Sequence, residues 1–187
     1  MVGYGAWFQG LMVQPRAVYG VRLRPFSLIH SLTLTELVSP YVYGHCDPSP
    51  ADTLTAVMVC ARTWREIRRD IVPAVRPVVL WDMWWRKRRY DHAQQHAILD
   101  AYIDDYAARP DHYVKAGGGK GGTIAAPYEF HLVRILCSHY GLTEDQAWDF
   151  PYGRAHCYGD CYGEANGDES LVSRREELLG KIAAGGN

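Results

Sequence analysis

The sequence predicts a mainly α-helical fold: a helical bundle with a short extended N-terminal arm and a glycine-rich internal loop. Apolar residues recur at helical spacing through several segments, and helix-capping residues stand where these segments begin and end. Alternating, strand-like segments are nearly absent. The chain has 187 residues, of which 48% are hydrophobic and 22% charged. These values are typical of a globular protein with one hydrophobic core.

The chain up to residue 24 is irregular, because residues that break regular structure are spread through it: Gly3, Gly5, Gly10, Pro15 and Gly20. Residues 18–24 alternate enough to predict a short strand or an extended arm. A first helix is predicted from Pro25, with Ser27 as its cap, and it should stop at Pro40. Residues 41–50 are predicted to form a loop.

A second helix is predicted to start at Ser49 or Asp52. Its apolar residues follow the i, i+3, i+4 rule over the whole segment: Leu54, Val57, Met58, Ala61, Trp64 and Ile67. We expect this helix to end near Asp70, because Pro73 cannot continue it.

A third helical stretch is predicted between Pro77 and Ala108, with a break near Asp91. Five glycines then stand between Ala116 and Gly122, which is the composition of a flexible segment. We therefore divide the chain into three parts: an N-terminal arm and helical part (1–108), a flexible glycine-rich linker (109–127), and a C-terminal helical hairpin with a frayed tail (128–187).

Further helices are predicted in the C-terminal part, since proline in the first turn, a capping box and glycine beyond the last turn mark helix ends. The residues are Pro127 and Gly141 for one helix, Thr143 and Gln146 for the capping box, Pro151 and Gly167 for the next helix, and Ser173 for a frayed last helix.

The five cysteines are an odd number and are unevenly spread, which favours a reducing compartment. Cys60 and Cys137 lie in apolar runs that are typical of buried thiols. No segment approaches the roughly 20 apolar residues that cross a bilayer, and the N-terminus lacks the pattern of a secretory signal. We therefore expect a cytosolic protein.

Histidine and cysteine near the C-terminus allow two interpretations. His156, Cys157 and Cys161 fall on one predicted helix and could form half of a tetrahedral zinc site, with His45 and Cys46 as the other half. Small core residues on a helix face also explain these cysteines, and this interpretation is favoured because Cys46 stands alone. We expect neither a metal ion nor another cofactor.

The sequence does not indicate an assembled catalytic centre. The eight histidines are scattered, and no Gly-x-Ser-x-Gly nucleophile elbow occurs. The glycine run lacks the serine or threonine that a phosphate loop needs after Lys120. His30 lies among leucine and isoleucine residues, which predicts a hydrogen-bonded core or boundary histidine rather than a general base. We therefore predict no enzymatic activity.

One aromatic and basic segment is the candidate binding site. On a helix, Trp81, Trp84 and Trp85 share one side. Such a surface can bind protein, stack nucleic-acid bases or lie on a membrane, and a core stripe beside a solvated basic turn would have the same pattern. We predict protein binding, through Trp81, Trp84, Trp85, Arg86, Lys87, Arg88 and Arg89.

The net charge of −1 hides an asymmetry. Residues 62–89 contain nine basic and three acidic residues, whereas residues 141–169 contain seven acidic residues and one basic residue. These segments can neutralise each other within the fold, between neighbouring copies, or with a partner. The acidic segment weakens the nucleic-acid interpretation of the basic segment.

Two stretches, 23–42 and 126–168, carry a distinctive order of features. In the second, the order is a helix, Gly141-Leu142-Thr143, two acids, Ala147-Trp148, an aromatic residue, Pro151, a further helix and Glu164-Ala165-Asn166-Gly167. This order resembles small helical proteins encoded beside the tail genes of tailed phages and prophages, in particular the tail assembly chaperone group. The resemblance implies that the protein binds the hydrophobic tape-measure protein and keeps it soluble while tail-tube subunits assemble.

We therefore predict a non-catalytic phage protein of the host cytoplasm, a tail assembly chaperone whose partners are the tape-measure and tail-tube proteins. Several copies acting along one long client would also allow self-association. One alternative is a structural virion component, such as a connector, tail-completion or minor tail protein. Another is a DNA-binding regulator. Neither a membrane nor a nucleic acid is the expected partner.

Overall fold

A computed structural model gives the structure of the chain. It describes residues 15–44, 47–69, 85, 88–107, 112–114, 126–166 and 171–173. Within these residues helices dominate, and the strands are confined to two short antiparallel pairs. The predicted mainly α fold is confirmed.

The first described element is a tight β-hairpin. β1 (Ala17–Val18) pairs antiparallel with β2 (Val21–Arg22). Both turn residues, Tyr19 and Gly20, have positive φ, as in the hairpin turns whose twist matches that of the strands. Tyr19 is fully buried, and its hydroxyl is hydrogen-bonded to Nδ1 of His92 at 2.8 Å. The segment predicted as one strand or an extended arm therefore turns back on itself and enters the core.

Two helices follow the hairpin. α1 (Leu28–Glu36) begins after its predicted cap, Ser27. α2 (Pro40–Tyr43) follows closely, with Ser39 as its N-cap residue and proline in its first turn. The sequence predicted a loop over residues 41–50, and that prediction is wrong for Tyr41, Val42 and Tyr43. Proline needs no hydrogen-bond partner in the first turn, and Gly44 ends the helix with a φ of +59°.

The predicted second helix is divided into two. α3 (Pro50–Cys60) begins at Ser49, one of the two predicted caps, and α4 (Trp64–Arg69) begins after a short break. At the break, the Thr63 N–H donates to Oε2 of Glu66 at 2.7 Å, and the Glu66 N–H donates to Oγ1 of Thr63 at 3.3 Å. This reciprocal pair is a capping box, which starts a new helix. The apolar spacing continues through the break and therefore concealed it.

α5 (His92–Ala107) starts directly after Asp91, where a break was predicted. The Tyr19 N–H donates to Oε1 of Gln95 at 2.5 Å, so one face of α5 holds the hairpin. The buried residues of this face are Gln95, Leu99, Tyr102, Ile103 and Tyr106.

A second strand pair joins distant parts of the chain. β3 (His112–Val114) pairs antiparallel with β4 (Leu171–Ser173). β3 lies inside the segment predicted as a flexible linker, and β4 includes the residue predicted to start a last helix. Pairing over such a separation leaves no local periodicity from which to predict it. The glycine run at 116–122 and the predicted last helix lie outside the described residues.

The C-terminal part contains α6 (Tyr128–Tyr140), α7 (Glu144–Trp148) and α8 (Tyr152–Ala165). α6 begins after Pro127 and α7 at its capping box, both as predicted. Gly141 ends α6 with a φ of +68°, a backbone conformation that glycine adopts without steric cost. Among the described helices, none has the length and apolarity that crossing a membrane requires.

Two clusters of buried residues form the core. The first joins the hairpin, α3, α5 and Leu34 of α1, and the second joins the start of α1 and α4 to α6, α7 and α8. In the second cluster, Leu28 and Ile29 of α1 belong with Leu132 of α6 and Trp148 of α7. The helices on both sides of the predicted 109–127 division therefore share one core.

Hydrogen bonds join the same helices. The Leu28 N–H donates to the carbonyl of Phe150 at 3.2 Å, just before α8. The Ser31 hydroxyl donates to Oε1 of Glu129 on α6 at 2.8 Å. α1 is thus fixed against the C-terminal helices at both its first and second turns.

Candidate protein-binding surface

The structure describes three of the seven residues predicted to bind protein. Trp85, Arg88 and Arg89 are helical and exposed, and Trp85 is 55% exposed. We call these three residues the Trp85 face. Trp85 is therefore not part of a core stripe. The remaining predicted residues lie outside the described part of the chain: Trp81, Trp84, Arg86 and Lys87.

Part of the basic segment is neutralised within the fold. Nη2 of Arg65 on α4 lies 2.6 Å from Oδ2 of Asp145 on α7, and its Nε donates to the same oxygen at 2.8 Å. The Trp64 N–H donates to Oδ1 of Asp149 at 2.6 Å, which caps the first turn of α4. Burial raises the pKa of Asp149 above its ordinary value. The predicted basic and acidic segments thus meet at α4 and α7.

A second exposed surface, which the sequence did not indicate, lies where α1 ends and α2 follows. It consists of four apolar or aromatic residues, which we call the α1–α2 corner. Their exposed fractions are 53% for Leu37, 61% for Val38, 40% for Val42 and 53% for Tyr43. Adjacent exposed apolar residues of this kind are characteristic of interaction sites.

The corner is built on the C-terminal end of α1. The Ser39 N–H donates to the carbonyl of Leu34 at 2.9 Å, and the Val38 N–H to that of Thr35 at 3.0 Å. This pair of bonds defines a Schellman motif, in which the residue in the left-handed conformation is usually glycine. Here that residue is Val38, with a φ of +52°. The conformation is costly for a β-branched residue.

Tyr19 and Val38 are the non-glycine residues with positive φ in the described part of the chain. The ring of Tyr19 is buried and its hydroxyl is hydrogen-bonded, and these interactions offset its backbone cost. Val38 projects into solvent, so burial within this chain does not offset its cost. Backbone strain of this kind is found preferentially at functional positions.

The charged residues next to the α1–α2 corner in the sequence are acidic. Residues 25–61 contain no lysine or arginine, and they contain three acidic residues. Glu36, which is exposed, directly precedes the corner, and the exposed Asp47 follows it. The corner is therefore apolar at its centre and acidic at its sequence flanks.

The third exposed group is aromatic and lies on α6. Tyr128, Phe130 and Tyr140 are partly exposed. The ring of Phe130 packs edge-on against Trp148, with centroids 5.0 Å apart, and Tyr140 stacks on Tyr158 at 4.7 Å. The rings of Phe130 and Tyr140 each pack against a neighbouring ring and remain partly exposed to solvent.

Two histidines of α5 are hydrogen-bonded to tyrosine hydroxyls. Nδ1 of His92 lies 2.8 Å from the Tyr19 hydroxyl, and Nδ1 of His96 lies 2.8 Å from the Tyr41 hydroxyl, which also contacts Oγ1 of Thr53 at 2.8 Å. Burial raises the pKa of Tyr41 to about 12, so this phenol keeps its proton at neutral pH. These hydrogen bonds attach the hairpin and α2 to α5.

The cysteines of the zinc hypothesis lie on α8. Cys157 is partly buried and Cys161 is exposed. Burial and two nearby carboxylates raise the pKa of Cys161, which disfavours the thiolate that zinc requires. Among the described residues, no three histidine, cysteine or acidic side chains are grouped to hold a metal ion. His45 and Cys46 lie outside the described residues.

His30 has the role that the sequence predicted. It is 1% exposed, the Ser27 N–H donates to its Nδ1 at 3.2 Å, and its Nε2–H donates to the carbonyl of Arg62 at 2.7 Å. Burial lowers its pKa to about 4. The prediction of a hydrogen-bonded core histidine is confirmed, and the imidazole ties the start of α1 to the end of α3.

No protein-family model, curated protein or solved structure matches this chain. Three groups of exposed side chains in the described part of the chain are candidate protein-binding surfaces: the Trp85 face, the α1–α2 corner and the aromatic rings of α6. Each carries aromatic or aliphatic side chains, and aromatic residues and arginine are enriched where proteins bind proteins.

Proposed function

We propose that the chain is a non-catalytic assembly factor of tailed phages. It acts as a tail assembly chaperone in the host cytoplasm, binding apolar helices of the tape-measure protein while the tail tube is built. The resemblance of residues 23–42 and 126–168 to that group supports the class of protein. The exposed apolar surface supports the mode of action.

The observation that carries the proposal is the exposure of several large apolar side chains on a fold that buries most of its other described apolar residues in two clusters. Single exposed apolar residues are ordinary, but clusters of them mark interaction sites. Most of these residues belong to the α1–α2 corner or to α6, and the full set is Leu37, Val38, Val42, Tyr43, Trp85, Tyr128, Phe130 and Tyr140.

The chemistry of the Trp85 face suits a helical client. An indole offers a large contact area with few rotatable bonds, which is why tryptophan anchors many interfaces. Arg88 and Arg89 beside it favour a client whose apolar helix also carries acidic residues. We assign client contact to this face and to the neighbouring Trp81 and Trp84.

The alternative of a DNA-binding regulator has less support. The guanidinium of Arg65 is already paired with Asp145, and the acidic α7 lies directly against the basic α4. A surface that binds the phosphate backbone needs several cations without such competing acids. Protein contact is therefore the better use of the basic segment.

Co-expression with the tape-measure protein of the same phage tests the proposal. We expect the tape-measure protein to remain soluble with the wild-type chain and to sediment with the triple variant Trp81→Ala/Trp84→Ala/Trp85→Ala. The matched control, Gln94→Ala/Asp100→Ala/Asp104→Ala, changes exposed residues of α5 and should behave as wild type. Equal solubility with the tryptophan variant, or without this chain, would refute the proposal.

Mass spectrometry of purified particles separates a chaperone from a structural virion component. A chaperone leaves before the particle is finished, so we expect only traces of the chain. Stoichiometric amounts in the particles would instead identify a connector, tail-completion or minor tail protein.

A further inference from the structure

We propose that His92 and His96 at the start of α5 bind one divalent transition-metal ion, with zinc as the representative ion. The pair uses no residue of the three candidate protein-binding surfaces, so the proposal holds or fails independently of the proposed function. Three observations carry it: the spacing of the two imidazoles, the position of the proton on His96, and a long contact between His92 and the carbonyl of Pro48.

The first observation is the spacing of the two rings. His92 and His96 are four residues apart in α5, so their side chains lie on the same side of the helix. Both are partly buried, and their rings are nearly parallel, at an angle of 23° with centroids 6.4 Å apart. Two histidines at this helical spacing bind zinc in metalloproteases. Ala93 stands where those enzymes have their glutamate base, so the pair suits binding and not hydrolysis.

The second observation is the position of the proton on His96. The Thr53 hydroxyl donates to the carbonyl of Ser49 at 3.1 Å. A hydroxyl has one proton, so Tyr41 is the donor in its 2.8 Å hydrogen bond with Thr53. The Tyr41 oxygen must therefore accept from Nδ1–H of His96, also at 2.8 Å. Neutral His96 thus has its lone pair on Nε2, the nitrogen that a metal ion would bind.

This arrangement is the one that supports histidine ligands in metal sites. There, the ring nitrogen that does not bind the metal commonly donates to a neighbouring oxygen, which fixes the orientation of the ring. Tyr41 accepts from His96 in this way. The Tyr19 hydroxyl lies 2.8 Å from Nδ1 of His92 and can accept from it. Both imidazoles are therefore held through Nδ1, and their Nε2 atoms point away from the tyrosines.

The third observation is a contact that is long for a hydrogen bond. Nε2 of His92 lies 3.4 Å from the carbonyl oxygen of Pro48, whereas good N–H···O bonds are about 2.7–3.2 Å long. Ligand atoms on a tetrahedral zinc ion lie about 3.3–3.5 Å apart, because the bonds to nitrogen and oxygen are about 2.0–2.2 Å. The separation therefore suits two atoms that share one ion. Pro48 would supply a third ligand, and water would complete the coordination.

The expected strength of binding follows from the ligand set. Zinc, copper and nickel all accept imidazole nitrogen, and only two imidazoles are offered here. We therefore expect a dissociation constant in the micromolar range, much weaker than that of a structural site with four protein ligands. The ion would connect α5 to the chain segment that precedes α3.

Calorimetric titration of the reduced, full-length chain with zinc chloride tests the proposal. The wild type is compared with His92→Gln/His96→Gln and with a matched control, His139→Gln, which removes an exposed histidine of α6. All three proteins retain every cysteine, so zinc bound by thiols contributes equally to each titration. Nitrogen-15 spectra of the histidine side chains identify which ring nitrogen binds zinc.

We expect the wild type and the control to bind one zinc ion that the double variant has lost, with an affinity at least about tenfold weaker in the variant. Zinc should shift the Nε2 signals of His92 and His96 and leave their Nδ1 atoms protonated. Circular dichroism verifies the fold of each variant. If the double variant does not fold, His96→Gln alone replaces it and should weaken binding by about tenfold.

Two results would overturn the proposal. The first is a folded double variant that binds zinc with the same stoichiometry and affinity as the wild type, since the zinc would then be held by cysteines or other histidines. The second is a wild type in which zinc leaves the Nε2 signals of His92 and His96 unchanged.

Discussion

The valine at residue 38 occupies a backbone position that glycine would occupy without steric cost. We expect Val38→Gly to leave the free energy of unfolding unchanged or to raise it by up to about 1 kcal/mol, because relief of the left-handed strain outweighs the greater flexibility of unfolded glycine. Denaturant unfolding measures the change.

Val42 provides the matched comparison. It is exposed and belongs to the same corner, but it lies in the ordinary helical backbone of α2. Val42→Gly should therefore lower the free energy of unfolding by about 0.5 kcal/mol, the usual effect of glycine in a helix. Equal losses for the two variants would show that Val38 carries no strain.

The buried imidazole of His30 makes folding sensitive to acid. Its pKa is about 4 in the fold and 6.5 ordinarily. Between these pH values the imidazole is therefore protonated in the unfolded chain and neutral in the folded chain. The free energy of unfolding therefore falls as pH drops through this window. Between about pH 7 and pH 4, protonation of His30 lowers the free energy of unfolding by about 3 kcal/mol in total. Above about pH 7 His30 has no such effect.

Urea unfolding of the wild type and of His30→Leu, from about pH 7 to about pH 4, measures this contribution. The variant should be less stable at neutral pH by about 1–3 kcal/mol, because the carbonyl of Arg62 loses its donor. Its stability should also fall less steeply on acidification. A variant with the same acid slope as the wild type would contradict the assignment.

The roles of some residues could be predicted from the sequence, and those of others could not. Ser27, Gly141 and the Thr143–Gln146 pair could be assigned to helix ends because each acts through its own local backbone. The left-handed Val38 could not be predicted, since valine is the wrong residue type for that position. Its conformation follows from how α1 packs and ends, which is tertiary information.

At the scale of elements, Gly159 of α8 lies close to Leu132 of α6. A methyl group added there would lie 2.6 Å from Cδ2 of Leu132, whose side chain is fully buried. Gly159→Ala should therefore lower the free energy of unfolding by about 1–2 kcal/mol, the overpacking cost less the better helix propensity of alanine. Thermal or urea unfolding measures the effect.

A second substitution tests the cause of that loss. Leu132→Val removes the clashing methyl carbon, so the double variant Gly159→Ala/Leu132→Val should lose less stability than the sum of the two single variants. Strict additivity would mean that the two residues do not compete for the same space.

Element boundaries were predictable where proline, glycine or a capping residue marked them. The break between α3 and α4 was not recognised, because the stripe through Ala61, Trp64 and Ile67 keeps its period while the Thr63–Glu66 pair starts a new helix. The β3–β4 pair was missed for a different reason. A three-residue strand is too short to show an alternating pattern, so it can be recognised only from the strand it pairs with, which here lies far away in sequence.

At the scale of the whole molecule, the second core requires both halves of the chain. We expect separate fragments 1–108 and 126–187 to lack stable tertiary structure, since Leu28 and Ile29 of one half pack with Leu132 and Trp148 of the other. Mixing the fragments should restore helical signal and a cooperative melting transition. Independent cooperative melting of either fragment would show that the 109–127 segment separates two autonomous units.

The candidate surfaces also differ in how predictable they were. The Trp85 face could be selected from composition and helical spacing alone, and the structure places its described residues in solvent. The α1–α2 corner could not be selected, because Leu37, Val38 and Val42 resemble core residues in the sequence. They become surface only because α1 ends in a Schellman motif and α2 begins immediately afterwards.

The hydrogen bond from Ser31 to Glu129 spans 98 residues of chain, and this separation has a consequence during synthesis. A ribosome adds about 5–20 residues per second, so α1 emerges well before the helices that cover it have been made. For roughly 5–20 seconds Leu28 and Ile29 of α1 lack the native partners that α6 and α7 supply, such as Leu132 and Trp148. Premature termination before α6 would make that state permanent and leave the truncated product open to proteolysis.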